Sequence, residues 1–257
     1  VDISTRRIPV TNNIYLSTKI GGCISIQPFS FYIYGMLTEQ AAIALQQTLS
    51  QQVILTDQLP ATIQLIAGVD VEYDKETDLI AGAIAIMDYH TLEVKAVATH
   101  CMHVTFPYIP GLFSFREMPV LLEAWKKLEI RPDLIVCDGQ GIAHPRRFGL
   151  ACHLGIVLDI PTLGCGKTRF FGQYDTLGEE RGSIAPLLAE DNGEQVGNAL
   201  RTQAGINPVF VSTGHKVSVQ RATDIVLRLA TEYRLPETTR KADHYGREAM
   251  IAFKSQV

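Results

Sequence analysis

The chain has 257 residues, 46% of them hydrophobic and 19% charged, so it can bury a sizeable core and is neither disordered nor fibrous by composition. Its net charge of −4 provides no overall positive field for a polyanion or an anionic membrane; residues 1–130 carry 8 Lys/Arg against 13 Asp/Glu, whereas residues 131–257 carry 15 against 14. The five cysteines form no CxxC pair, no apolar run reaches the roughly 20 residues of a membrane span, and no basic-then-apolar leader opens the chain, so a reducing, cytoplasmic location is expected.

In chain order, residues 1–37 read as an N-terminal appendage of unknown role: Arg6 and Arg7 precede a β-prone run from Ile24 to Tyr34 with no turn chemistry to pair it. Residues 38–257 read as one domain. Thr38 suits an N-cap for a helix over 38–52, because Ala41, Ala42, Leu45, Leu49 and Val53 follow at helical spacing. Three Val-, Ile- and Ala-rich stretches, 65–73, 79–89 and 92–106, are separated by polar connections and predict an antiparallel meander. A helix over 115–129, a strand over 134–137, a helix from Pro145 to Leu158 and a strand over 162–165 come next; Pro145 fits a first helical position. Residues 208–212 read as a strand, and two helices close the chain, one capped by Ser218 and one starting near Thr239. This order predicts an α/β fold with a mixed sheet, antiparallel on one side and parallel on the other, flanked by helices.

Asp70 lies in the middle of an otherwise apolar strand, and alternation places it with Gly68 and Glu72 on one face and Val69, Val71 and Tyr73 on the other. An edge strand with a solvated face is the plainer reading. Asp138 weakens that reading, because it ends the fully apolar strand Leu134–Cys137, and the carboxyl ends of parallel strands are where ligands bind. Two strand aspartates in one cleft repel each other unless a cation lies between them, and an all-oxygen set suits Mg²⁺, with Mn²⁺ able to substitute. Glu117, at a helix start, is a third carboxylate for the same ion, although a favourable interaction with the helix dipole explains it as simply. This pattern of acids is the arrangement of ribonuclease-H-like nucleases and favours metal-assisted phosphodiester hydrolysis.

Gly164-Cys165-Gly166-Lys167-Thr168 contains the end of a P-loop, but Pro161 stands where the first glycine is needed, so no nucleotide cofactor is expected. Lys167 directly follows a strand and can neutralise a phosphate; otherwise it is a solvated side chain. His144, Arg146 and Arg147 at the expected helix start suit a phosphate, while Asp243 on the last helix has a plain reading as an i, i+4 partner of Arg247. In Phe106-Pro107-Tyr108-Ile109-Pro110-Gly111 two prolines clamp an aromatic tip; it is either an ordinary turn or a wedge that enters a base stack.

Taken together, Gly68-Val69-Asp70-Val71, Pro107 to Gly111 running into Phe115-Arg116-Glu117, Pro132 to Gly139, Gly141 to Arg146, Ser212 to His215 and Leu235 to Arg240 resemble the endonuclease V family over roughly residues 38–257. The resemblance implies a ribonuclease-H-like fold and cleavage of the second phosphodiester 3′ to hypoxanthine in inosine-containing DNA, with RNA open as a substrate, leaving 3′-hydroxyl and 5′-phosphate ends. It implies metal ligation by Asp70, Asp138 and Glu117, further catalytic roles for Lys167 and Asp243, and a strand-separating wedge at Tyr108 with Pro107, Ile109, Pro110 and Gly111. Lesion and strand contacts are expected from Gly139, Gly141, His144, Arg146, Leu163, Gly164 and Gly166, in a monomer with no membrane partner. Gln140 departs from the His of many members, and Gly166 from their Ala. The alternatives are a related junction or flap nuclease, which would cut an inosine duplex elsewhere, and a silent lesion-binding module, which the intact acids disfavour.

Overall fold

The structure is a computed structural model that describes residues 6–10, 13–20, 23–25, 34, 37–74 and 76–256, the first three segments as backbone only. Those three are strands β1 (Arg6–Val10), β2 (Asn13–Ile20) and β3 (Cys23–Ser25), paired antiparallel in the order β1-β2-β3. The expectation that nothing pairs this region is thereby corrected. Gly21-Gly22 between β2 and β3 is a hairpin composition that should have signalled it. Most of the run expected from Ile24 to Tyr34 lies outside the described residues. Tyr34 itself is buried against Phe115 and His153, and its hydroxyl is 3.1 Å from His153 Nε2.

The remaining chain builds an eight-stranded sheet from β4 (Leu65–Tyr73), β5 (Leu79–Asp88), β6 (Val94–His103), β7 (Leu134–Cys137), β8 (Thr162–Gly166), β9 (Ile184–Leu188), β10 (Gln195–Leu200) and β11 (Val209–His215). Its order is β6-β5-β4-β7-β8-β11-β10-β9. The meander β4-β5-β6 is antiparallel, β4-β7-β8 is parallel, and β8-β11-β10-β9 is antiparallel again. The parallel part is therefore the centre of the sheet rather than one side of it. β9 and β10 carry weak strand signals: Pro186 lacks an N–H and is tolerated because β9 is an edge, and Gly197 and Asn198 dilute β10.

Among the described residues five helices flank the sheet: α1 (Glu39–Ser50), α2 (Phe113–Lys126), α3 (Leu150–Leu158), α4 (Val219–Leu229) and α5 (Glu237–Lys254). Thr38 and Ser218 cap α1 and α4 through their hydroxyls, as their positions in the sequence suggest. On one face, Val69, Ile84, Ile135 and Cys137 pack with Phe115, Met118 and Leu121 of α2 and Leu154 of α3; on the other, Ile66, Val136, Leu163 and Val211 pack with Ile225 and Leu229 of α4. All four residues of β7 are buried, as a central parallel strand requires. α5 lies over β4 and β5 so closely that a Cβ on Gly68 would sit 2.0 Å from the Thr238 carbonyl oxygen. Among the described residues no helix is long and apolar enough to cross a membrane.

Candidate active site

The register of the parallel pair sets the acids side by side. Val69 is opposite Cys137, and the Asp138 N–H extends the ladder by donating to the Val69 carbonyl at 3.1 Å, so Asp70 and Asp138 emerge together at the carboxyl ends of β4 and β7. Their carboxyl groups are close enough to act strongly on each other. Burial and then the charge of Asp138 hold Asp70 far above the usual carboxylate range. Lys167, just past β8, places Nζ 2.5 Å from Asp138 Oδ2. Burial lowers its affinity for a proton, but the hydrogen bond and charge of Asp138, with Asp70 and Asp243, raise it overall.

Glu117 approaches from α2 and is 4% exposed. The helix starts at Phe113, not at 115, so Glu117 lies past the first turn, where a dipole explanation is weak. Its Oε1 accepts from the Tyr73 hydroxyl at 3.2 Å, while Oε2 is buried with no partner. Burial and then the Asp70 charge hold Glu117 well above its ordinary range, against the pull of Tyr73. Asp243 comes from α5: its i, i+4 bond to Arg247 is present at 2.9 Å, and its charge also acts on Asp70 and Lys167.

Among the described residues no three His, Cys, Asp or Glu side chains already form a metal cage. The donor set nevertheless fits a hard divalent cation. Two adjacent carboxylates, offset only by Lys167 on the Asp138 side and lying beside an unpartnered buried carboxylate oxygen, are what such an ion would satisfy.

The loop expected to form a wedge stands beside these acids. Phe106 is fully buried and its carbonyl accepts from Arg116, Ile109 packs on the core, and Tyr108 is 68% exposed against the edge of Phe113. Gly111 adopts φ +80°, a conformation that only glycine takes freely, and closes the loop. A cavity of about 330 Å³ runs from Tyr108 and Ile109 past Glu117 and Asp138 to Gln140 and Phe170. A larger depression of about 480 Å³ beside Arg147 and Glu194 lies apart from the acids, so the smaller cavity is the candidate site.

Three expectations need correction. The segment from Pro145 is not helical: it turns through Arg147 at φ +55°, and α3 begins only at Leu150 behind Gly149. His144 and Arg146 accordingly meet no helix start; His144 is buried with Nε2 donating to the Gly111 carbonyl at 3.0 Å and Nδ1 accepting from the Arg146 N–H at 3.1 Å. Burial and the Arg146 charge push this neutral imidazole down to about 4. Leu163 and Gly164 lie in the expected strand, but that strand, β8, is buried throughout and also takes in Gly166, one residue past its expected end. Gly164 lets the turn at Gly139 and Gly141 approach, since a Cβ there would sit 2.6 Å from the Gly139 oxygen and the Gly141 nitrogen; Gly141 itself packs on Thr213.

The two departures noted in the sequence touch each other. A Cβ on Gly166 would lie 2.1 Å from Gln140 Nε2, which donates to the Thr168 carbonyl, and Gln140 Oε1 is buried without a partner beside the cavity. Sequence reasoning missed Gln46, a buried polar residue of α1 that lines the same cavity and that no local pattern distinguishes from a core position.

Comparison with known proteins bears on this site. An Endonuclease V of Nostoc punctiforme is 46% identical over 206 residues, 80% of this chain and 92% of the relative. The crystal structure of Endonuclease V from Streptomyces avermitilis superposes with a TM-score of 0.80 at 48% identity, covering 84% of this chain and 95% of that one. A Ciona intestinalis Endonuclease V, solved in complex with DNA containing an inosine followed by a ribo-adenosine, shares the fold with a TM-score of 0.71 at 24% identity, over 84% of this chain and all of that one. The sequence model of Endonuclease V matches residues 47–244, and this chain therefore belongs to the endonuclease V family of nucleases.

Proposed function

We propose that the chain hydrolyses the second phosphodiester 3′ to hypoxanthine in inosine-containing DNA, leaving 3′-hydroxyl and 5′-phosphate ends, with Mg²⁺ as the natural ion and Mn²⁺ able to replace it. The observation that carries this reading is the adjacent Asp70–Asp138 pair, of which Asp138, with Glu117, lines a cavity rimmed by Tyr108. Asp70, Asp138 and the free oxygen of Glu117 are the residues that would hold the ion. Once bound, a divalent cation supplies an acidified, oriented water and neutralises phosphate charge. Lys167 offsets charge on the carboxylates and on an incoming phosphate, and Asp243 adds negative potential from the α5 side.

Tyr108, on a loop stiffened by Pro107 and Pro110, fills the gap left when a base leaves the stack. The turn from Gly139 to Gly141 faces the extruded base. Hypoxanthine offers a carbonyl acceptor and a ring N–H donor, and Gln140 Oε1 is an acceptor still without a partner there. Within this reading residues 1–37 are an appendage to the nuclease unit at 38–257, and the buried free thiols Cys137, Cys152 and Cys165 suit a cytoplasmic site of action.

The test compares duplexes carrying hypoxanthine or adenine, with Mg²⁺, with Mn²⁺ and with EDTA. Cleavage confined to the hypoxanthine strand and to the metal-containing samples is expected, with Asp70→Asn and Asp138→Asn inactive yet still binding. Full activity in EDTA, or equal cutting of both bases, would refute the reading.

A further inference from the structure

We propose that Gln46 is a positioning residue of this nuclease: from α1 it locks the base of the Tyr108 loop, so that the loop meets a duplex already rigid. The inference rests on the wedge reading given above and adds the device that holds the wedge. Gln46 is 1% exposed, and the family match begins one residue after it. Its side-chain nitrogen donates to the Gly111 carbonyl at 3.0 Å and to the Phe148 carbonyl at 2.5 Å, while its Oε1 accepts from Arg146 Nε. One amide thus joins α1, the end of the Tyr108 loop and the irregular segment that leads into α3.

An apolar residue of similar shape would fill the same space without the cost of burying an amide. The amide is explained by what surrounds it. The Gly111 carbonyl collects donors from Gln46, from His144 Nε2 and from Arg146 at 2.8 Å, although a carbonyl oxygen has two lone pairs. Gly111 is also the residue at φ +80°, the position in the loop with the most backbone freedom to lose. The donors therefore converge on the point where the loop would otherwise hinge, while Tyr108, three residues away, is the most exposed aromatic of the cleft. A tip that must displace stacked bases gains affinity when its own ordering has been completed before contact.

Gln46→Met keeps the bulk and removes both donors; Gln46→Glu keeps the acceptor for Arg146 and likewise removes the donors, so either can report if the other fails to fold. With wild-type and variant chains in Ca²⁺, the Kd for inosine-containing duplex should rise about three- to tenfold, and that for an inosine-containing single strand much less. Turnover at saturating duplex should change less than Kd does. In a Tyr108→Ala background, which weakens duplex binding if the wedge is real, adding Gln46→Met should cost little more, because the loop no longer carries a tip to position. Wild-type duplex affinity of both Gln46 variants, or a full additional loss in the Tyr108→Ala background, overturns the inference while leaving the wedge standing. Wild-type duplex affinity of Tyr108→Ala alone removes the wedge, and the proposed role of Gln46 with it.

Discussion

The two walls of the cleft solve opposite problems. The acid wall is under-satisfied: Asp70 is buried against the charge of Asp138, and Glu117 keeps a buried oxygen with no partner. The loop wall is over-satisfied, with donors from three side chains on the Gly111 carbonyl and both ends of the loop tied down. The difference shows which part of the site waits for a ligand and which part must not move. On the proposed reading, unmet electrostatic demand is where an ion and a phosphate would enter, and surplus hydrogen bonding holds the part that would act by its shape.

The largest effect should come from removing charge on the acid wall. Asp70→Asn is expected to abolish cleavage and at the same time to raise the melting temperature of the metal-free protein, because it relieves the burial of a carboxylate and the repulsion from Asp138 that the fold carries without an ion; about 2–4 °C per kcal/mol applies to a chain of this size. An inactive variant with a lowered melting temperature would mean that the carboxylate supports the fold rather than burdening it. Glu117→Gln comes next. Because Glu117 is held well above its ordinary range, the neutral amide imitates its resting state, so stability should hold while turnover falls about a hundredfold or more. Normal turnover with a lower melting temperature would make Glu117 a structural residue of α2.

On the loop wall the losses should be smaller and should appear in binding. Tyr108→Ala should weaken affinity for inosine duplex about tenfold, with less loss on a single strand and no change in melting temperature. A further effect, read in stability rather than in binding, concerns the support beneath the loop. His153 is fully buried, with Tyr34 and Ser114 at its ring nitrogens, and burial pushes it down to about 3. It stays neutral in the fold, whereas in the unfolded chain it takes up a proton near pH 6.5, so wild-type stability is lost as pH falls from about 6.5 towards about 3. His153→Gln is destabilising at neutral pH but escapes that loss, so the gap in melting temperature between the two proteins should narrow on acidification. A constant gap would show that His153 does not titrate on unfolding.

Much of the acid wall was legible in the sequence because its signals are local. A charge inside an apolar strand, a second at a strand's end and the caps Thr38 and Ser218 each mark their element within a few residues. The loop wall was legible only at its tip. Pro145 imitates a helix start, and only the left-handed turn at Arg147 shows that no helix forms there. Gln46 looks like an ordinary buried residue, and His144 like a phosphate contact, until the chain brings Gly111 between them. β9 and β10 escaped for a different reason: an edge strand with a proline, and a neighbour carrying Gly197 and Asn198, lack the alternation by which strands are recognised.

The close seating of α5 on Gly68 has a consequence for synthesis. The acids of the cleft are scattered from β4, early in the nuclease region, to α5, which is made last of its elements, and α5 is the layer that covers the Asp70 face of β4. A nascent chain that has not yet emitted Asp243 has Asp70, Glu117 and Asp138 but lacks the wall over the Asp70 face of β4, so the four acids come together only after α5 has been made and has packed. The acid wall is thus completed by one late event in folding, the docking of α5 on Gly68.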